Sequence, residues 1–450
     1  MDSMNYTKHI VIPALLALTG CGTVRDAREA QKGEILIPGE RIVSYSETIL
    51  ATNATATVAE LEDIALAASP VVMQAREAVV TAQIAVRDAK AAYIPTIDAS
   101  AGYTWKTSNV DPHNQSSHLD DTKSVGATLN MLVYDFGRSR AAKRQAAAAL
   151  VAAERGARAT ENATRYNVRT ACYALKRSIE LREVATESAA IYAEHLRQME
   201  DRYNVGAVNS YAVTKAKVDL SQSVLAAVTA SNNVHVSRAA LNLALGLDGA
   251  PEFEIEDGGI ATYEGLGVTE LMDIARTNSP ALASLRASAE GASFYVDRTI
   301  ADLYPSLGVS IQYTAGGEST PLLWNLVAGP SLSQSVFCAG RKRRAIEAAV
   351  SQLRIARSKV AAEELSLHNS ITTAVLASVR ASQQLDVARQ NQQMAEENFD
   401  IVSKRYEVGK ASELERSDAQ VALSQAKASV VSAKYDYYDS QILISQLIGE

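Results

Sequence analysis

Apolar residues after Gly340 keep a regular beat: Ile346, Val350, Leu353, Val360, Leu367 and Ile371 follow at intervals of 4, 3, 7, 7 and 4 residues. That spacing predicts a helix whose narrow apolar seam packs on another helix, as in a coiled coil. The beat resumes beyond Gly409 at Leu414, Val421, Ala428, Tyr435 and Ile442, and appears earlier at Tyr211, Val218 and Leu225. From Gly137 to Gly206 there are 69 residues without a proline, rich in helix formers. As one α-helix they would run roughly 100 Å, far beyond an ordinary globular helix. A second helix of 40 residues, Gly206 to Gly246, and a run of 25 from Pro70 to Pro95 could lie end to end beside it. Each half of the chain is then a long antiparallel helical hairpin, with Gly206 or Gly409 making the turn.

Between Pro95 and Gly137 the period changes to two. Ile97, Ala99, Ala101, Tyr103 and Trp105 alternate with Asp98, Ser100, Gly102 and Thr104, and Val125, Ala127, Leu129, Met131 and Val133 alternate with small or polar residues. These predict strands at about 96–105 and 124–134, each with one apolar face. The second half has Leu307, Val309, Ile311 and Tyr313, then a weaker alternation near 326–337, which predicts strands at about 306–313 and 326–337. Small polar residues on one face and aromatics at the strand ends fit a transmembrane barrel with a watery lumen.

The chain is a tandem duplication. "SPVVMQAREA" at 69 answers "SPALASLRAS" at 279, and "YIPTIDASAGYT" at 93 answers "LYPSLGVSIQYT" at 303, both 210 residues apart. Gly137 answers Gly340, Gly206 in "RYNVG" answers Gly409 in "RYEVG", and Gly246 answers Gly449, each 203 residues apart. The seven-residue difference falls between Pro95 and Gly137, so one loop absorbs it and the helices keep equal lengths.

Composition narrows the class. The chain is 47% apolar but 6% aromatic, which favours close-packed alanine-rich helices. A net charge of -7 offers no basic field for nucleic acid. No apolar stretch reaches 18 residues, which excludes a membrane-spanning helix but not a barrel. The six histidines form no metalloprotease motif, His113 and His118 do not make a metal pair, and no phosphate-binding loop or nucleophile elbow occurs. We therefore expect no enzyme activity, catalytic residue, metal or cofactor. Of three cysteines, Cys172 and Cys338 read as small apolar fillers. Cys21 follows "KHIVIPALLALTG", a cation and a short apolar run of signal-peptide length. The junction "LTGC" resembles the lipobox of bacterial lipoproteins. That implies removal of residues 1–20, lipid attachment at Cys21 and, with Gly22 rather than Asp following, delivery to the outer membrane. Asp2 fits such a signal poorly, which makes Met4 an alternative start.

Four strands cannot close into a barrel, and an open sheet edge in lipid leaves backbone groups unpaired. If the strands lie in lipid, the chain oligomerises; three copies supply 12 strands. The lipobox, the duplication, "YIP" and "LYP" before strands, "FGR" and "AGR" after them, and the paired "RYxVG" tips resemble the TolC-like outer-membrane efflux protein family over roughly residues 55–450. The resemblance implies a mainly α fold with transmembrane β: a homotrimer with a 12-stranded barrel in the outer membrane, an α-barrel of helical hairpins across the periplasm, and an equatorial girdle. The chain then divides into a signal peptide (1–20), a linker and equatorial segment (21–60), a first repeat (61–246), an inter-repeat equatorial segment (247–270) and a second repeat (271–450).

The family's function implies a passive exit duct of a tripartite efflux pump or type I secretion system, working with a periplasmic adaptor and an inner-membrane transporter. The cargo stays open between drugs, metal ions and proteins. The tips Val205, Gly206, Val408 and Gly409 match the family's adaptor-docking positions. Glu415 and Asp418 match an acidic ring at the periplasmic aperture, where mutual repulsion would raise carboxylate pKa values. Tyr406 matches a tyrosine that holds the aperture shut. The chain departs from the family at Ala212 and Ala411, where an acid and a base are expected, so its closing contacts must differ. The alternative is a lipid-anchored periplasmic coiled-coil scaffold or adaptor without a barrel; it has no use for amphipathic hairpins.

Overall fold

The computed structural model describes residues 55–108, 118–247, 253–256, 259, 261–263, 265–318 and 321–449. Cys21, His113 and the rest of residues 1–54 and 109–117 lie outside this set. Along the chain come α1 (Val58–Ala68), α2 (Pro70–Lys90), β1 (Thr96–Ser108), β2 (His118–Tyr134), α3 (Arg138–Asn204), α4 (Ser210–Leu245), α5 (Val268–Asn278), α6 (Pro280–Ala301), β3 (Ser306–Gly317), β4 (Leu323–Ser333), α7 (Arg341–Glu407) and α8 (Glu413–Ile448). Both long helices, α3 and α7, have 67 residues, and both partners, α4 and α8, have 36. Among the described residues no helix is long and apolar enough to cross a membrane.

The chain forms two compact units, Met1–Pro70 with Asn167–Gly259 and Val71–Tyr166 with Ile260–Glu450; the division falls inside α3. In the first, α1 starts at a capping box: the Glu60 N–H donates to Thr57 Oγ1 at 3.3 Å and the Thr57 N–H to Glu60 Oε2 at 2.9 Å. Its Leu61, Ile64 and Ala65 pack with Val168, Cys172 and Leu175 of α3 and Val234, Leu241 and Leu245 of α4. Burial pushes the Cys172 thiol up to about 12, so it is an inert filler. Arg169 donates from Nε to Glu62 Oε1 at 2.6 Å. Ala56 pairs with Ile255 in a parallel bridge, tying the segment before the first repeat to the one after it.

In the second unit, α7 packs along both α8 and α6, and Leu271, Met272 and Ala275 of α5 join Leu367, Ile371 and Ala374 of α7 and Ile444 and Ile448 of α8 in one core. Buried Gln441 donates to Ser378 Oγ at 2.7 Å and accepts the Tyr263 N–H at 2.9 Å. Helix α6 also lies on the start of α3, where Ser284 Oγ donates to the Ala152 carbonyl at 2.8 Å.

The end-to-end arrangement expected from the lengths is present in this unit. Helix α8 ends at Gly449, whose φ is +88° and where an added Cβ would lie 2.9 Å from the Asn278 carbonyl oxygen, one residue before Ser279 caps α6. Only glycine meets both demands. In the first unit Gly246, φ +72°, ends α4 against the backbone of Ala68 and Ser69 in the same way.

The seam near the tips differs from expectation. Tyr211, Val218 and Leu225 are exposed, as are Leu414 and Val421. The buried side is instead Ala216 and Ser223 on α4 and Ala419, Leu423 and Ala426 on α8. Small side chains let paired helices approach closely, so the larger apolar residues occupy a second stripe that stays exposed within one chain. Counting seven-residue spacings could not tell which of two stripes faces the hairpin partner.

Candidate functional site

The four strands form one antiparallel sheet in the order β1-β2-β3-β4, with open edges on β1 and β4. All four strands depart from the expected bounds. Strand β1 runs on to Ser108 and β3 to Gly317, past the expected 105 and 313, β2 begins at His118, ahead of the expected 124, and β4 is Leu323–Ser333, not 326–337. Val336 and Phe337 lie beyond β4 and are almost fully exposed. Pro330 is tolerated because β4 is an edge strand.

Register turns the alternation into two chemically distinct faces. Across the sheet Ile97, Leu129, Ile311 and Ala328 stand in one row, Ala99, Ala127, Tyr313 and Leu326 in the next, and Ala101, Val125, Ala315 and Trp324 in a third. The intervening rows are Thr96, Asn130, Ser310 and Gly329, then Ser100, Gly126, Thr314 and Asn325. Paired residues share a face, so one side is apolar from edge to edge and the other mostly small and polar, with Val327 and Leu323 of edge strand β4 as large apolar exceptions. Asp98 is a charge on the polar side, in the row with Thr128, Gln312 and Val327. A register shift between Leu132 and Tyr134 leaves Val133 as the extra residue and sets Tyr134 opposite Leu307. Val133, expected to continue the apolar alternation, is thereby displaced from it.

The apolar face is uncovered in the protomer: Ile97 is 72% exposed and Trp324 69%. Water does not tolerate so large an apolar patch on a monomer. Strands of 13, 17, 12 and 11 residues meet or exceed the nine to eleven or so needed to cross a bilayer at a tilt of about 45°.

Each half leaves the sheet through the same turn. Phe136 and Gly137 have φ of +53° and +95°, and Ala339 and Gly340 have +48° and +73°. In the first copy Asp135, 2% exposed, holds the turn. Its carboxylate accepts the Ser139 N–H at 2.7 Å, the Ser139 hydroxyl, the Gly137 N–H at 3.3 Å and the Tyr93 hydroxyl at 3.1 Å. Burial alone would raise its pKa; these donors outweigh that and hold it below the ordinary 3.8. We expect Asp135→Asn to cost about 2 kcal/mol, the worth of hydrogen bonds to a charged acceptor. A carboxyl with a depressed folded pKa contributes stability above its unfolded pKa and loses it as pH falls through the folded value. The gap in thermal stability between wild type and variant should therefore persist at pH 7 and shrink below about pH 4. An equal gap at pH 3 would contradict this. "YDFGR" carried the signal for this anchor, an acid just before the glycine turn, but the equivalent position in "FCAGR" is Cys338 and the repeat hid it.

At the tips the repeated words acquire a mechanism. The Ala207 N–H donates to the Arg202 carbonyl at 2.8 Å and the Gly206 N–H to the Tyr203 carbonyl at 2.9 Å. Lys410 and Gly409 do the same to Arg405 and Tyr406, at 2.8 and 3.0 Å. These are paired Schellman turns with glycine at φ +72° in both, and the Arg and Tyr of "RYxVG" supply the carbonyls. Asn209 then caps α4, and Ser412 caps α8 in a capping box with Glu415. Val205 and Val408 stand 79% and 68% exposed at the two turns.

Of the two acidic positions, Glu415 has a local partner. The Ser412 N–H donates to Glu415 Oε2 at 2.5 Å, and that contact, with the Ser412 hydroxyl beside it, lowers the Glu415 pKa within one chain. There Glu415 serves a helix N-terminus. Asp418 is exposed one turn further along α8. Tyr406 is half-buried, with the Arg416 guanidinium 5.1 Å from its ring centre, a cation-π contact the sequence reading missed. Ala212 and Ala411 hold the positions where the acid and base were sought. No group of three or more potential metal ligands occurs among the described residues.

Comparison with known proteins agrees with this geometry. The chain is 25% identical over 275 residues to the cobalt-zinc-cadmium resistance protein CzcC of Cupriavidus metallidurans, covering 59% of this chain and 63% of that relative's length. Its fold matches the Campylobacter jejuni CmeC outer membrane channel with a TM-score of 0.75 at 18% identity, covering 87% of this chain and 85% of that one. It matches the outer membrane protein VceC of Vibrio cholerae with a TM-score of 0.75 at 20% identity, covering 87% and 96%. The profile of the family described as "Outer membrane efflux protein" matches residues 61–247 and 271–450. The chain therefore belongs to the outer membrane efflux protein family.

Proposed function

We propose that three copies close their sheets into a 12-stranded barrel and their helical hairpins into a tunnel, forming a passive exit duct. One observation carries this: a four-stranded sheet with a continuous apolar face and two unpaired edges has no stable home as a monomer in water or lipid. Joining edge β1 of one copy to edge β4 of the next pairs every strand. The second apolar stripe supports the same assembly, because Val387, Met394 and Ile401 on α7 and Val408 at its C-cap are exposed at seven-residue spacing. In a ring each helix needs a seam for each neighbour.

In this duct the tips Val205, Gly206, Val408 and Gly409 dock a periplasmic adaptor, which couples the channel to an inner-membrane transporter. Tyr406, Glu415 and Asp418 belong to the periplasmic aperture, where the Arg416 guanidinium lies over the Tyr406 ring. Cys21 carries the lipid anchor. Likeness to a cobalt-zinc-cadmium resistance protein puts divalent metal ions first among the cargoes to assay, with drugs and secreted proteins after them.

The test compares the native chain with Cys21→Ala in outer-membrane extracts. We expect a heat-modifiable species of about three chains that still requires detergent without its lipid. A protein that becomes water-soluble on losing Cys21 would overturn the duct and leave a lipid-anchored scaffold. Replacing Gly206 and Gly409 by bulky residues should leave the trimer intact but abolish metal-ion resistance in cells carrying the cognate pump.

A further inference from the structure

Immediately after each strand-to-helix turn the chain places a block of cations, "RSRAAKR" at 138–144 and "RKRR" at 341–344, eight positive charges with no acid among them in a chain of net charge -7. Helix stability does not explain them. They occupy the first two turns of α3 and the first turn of α7, where the helix dipole already presents positive charge and acidic side chains are favoured, and neither first turn has one. Nor do ion pairs account for the set. Arg138 lies 3.7 Å from Asp302 and Arg343 3.2 Å from Glu347, but Arg140, Lys143, Arg341 and Lys342 have no acidic partner among the described residues.

Their depth is informative. Tyr134, at the end of the apolar face, meets the Phe136 ring at 4.9 Å, which stacks on Tyr304 at 5.6 Å. Exposed Phe337 stands before the second block. Aromatic rings at the end of an apolar strand band mark the membrane-water interface. The cations follow within two turns, at headgroup depth. A cleft of about 350 Å³ there is lined by Arg138, Arg341 and Lys342, with one carboxylate, Asp302, and with Tyr304 and Ser333.

We propose that these cations form a collar that binds the phosphate groups of anionic phospholipids in the leaflet bordering the helices. Charge complementarity and continuity with the apolar sheet face, on which the acyl chains lie, select a lipid over a soluble anion. The collar fixes the depth and tilt of the barrel by anchoring the helix starts in the headgroup layer. This inference rests on the duct proposed above.

The test uses the full-length trimer in neutral detergent, its melting followed while phosphatidylglycerol, phosphatidylcholine or inorganic phosphate is added. Phosphatidylglycerol should raise the melting temperature and the other two should not. In the combined variant Arg140→Gln, Lys143→Gln, Arg341→Gln, Lys342→Gln the lipid affinity should fall about fivefold for each charge removed. Equal responses of wild type and variant would overturn the collar; so would a phosphatidylcholine effect as large as that of phosphatidylglycerol. An effect of inorganic phosphate alone would assign the cleft to a free anion instead. If the variant does not assemble, wild type still decides, because a phosphatidylglycerol response that does not weaken with salt contradicts a headgroup site. Conductance of the same preparation in planar bilayers separates the two proposals. A conducting trimer indifferent to lipid charge loses only the collar, whereas a protein that neither conducts nor needs detergent loses the duct as well.

Discussion

Leu129→Arg should leave no assembled channel in the outer-membrane fraction, whereas Thr128→Arg, one residue away, should assemble and conduct with an altered ion preference. Leu129 stands in the row of Ile97, Ile311 and Ala328 on the apolar face. An arginine on the lipid face of a barrel costs about 2–4 kcal/mol near the bilayer midplane, and a trimer would bear it in three copies. Thr128 stands in the row of Asp98 and Gln312 on the polar face, where a cation meets water and partly neutralises the Asp98 charge. Heat-modifiability on gels reads assembly, and the reversal potential in a salt gradient reads selectivity. Normal assembly of Leu129→Arg would mean that the apolar face does not meet lipid. Failure of both variants would mean that the strand tolerates no large residue on either side.

A second large effect is expected at the helix junctions. Gly449→Ala should destabilise the second unit by about 2–5 kcal/mol, the sum of a left-handed conformation forced on alanine and an overpacked contact. The clash is with backbone: the new Cβ would sit 2.9 Å from the Asn278 carbonyl oxygen and 3.1 Å from its carbon. Gly409→Ala shares the positive φ but meets nothing within 4 Å, so only the conformational cost of about 1–2 kcal/mol remains. Thermal melting of the two variants should rank them in that order. The reverse order would show that the α8 to α6 junction gives way easily and that the tip is the tighter structure. The variants should also differ in kind, because the tip glycine is proposed to meet an adaptor, so Gly409→Ala should impair transport more than its modest loss of stability explains.

Much of this was legible in one dimension. Helix ends were readable because glycine is needed where the backbone turns left-handed, and Gly206, Gly246, Gly409 and Gly449 all do so. The first three strands announced themselves through alternation. The fourth was misplaced because "LLWNLVAGPSLSQSVF" has apolar residues on both registers, and only pairing of Leu326 with Tyr313 and Leu332 with Leu307 decides which belong to the sheet. The seam near the tips was misassigned because a helix with two apolar stripes produces the same seven-residue beat from either one. Tyr211, Val218 and Leu225 are as regular as Ala216 and Ser223, but only the latter lie against the partner helix. At the candidate aperture, motif matching found Glu415 but not its occupation by the Ser412 N–H, since a capping box is a property of where the helix begins.

The duplication, the equal helix lengths, the glycine turns and the period of each segment are written along the chain, because they follow from local backbone preference and from spacing. Which stripe of each helix is core, and how four strands align into one apolar and one mostly polar face, is settled only when the elements pack. Packing also sets Gly449 against Asn278 and gathers cations beside aromatic rings at the rim of the sheet. Those outcomes depend on residues far apart in the chain meeting in space, where packing volume and register select among patterns that are locally equivalent.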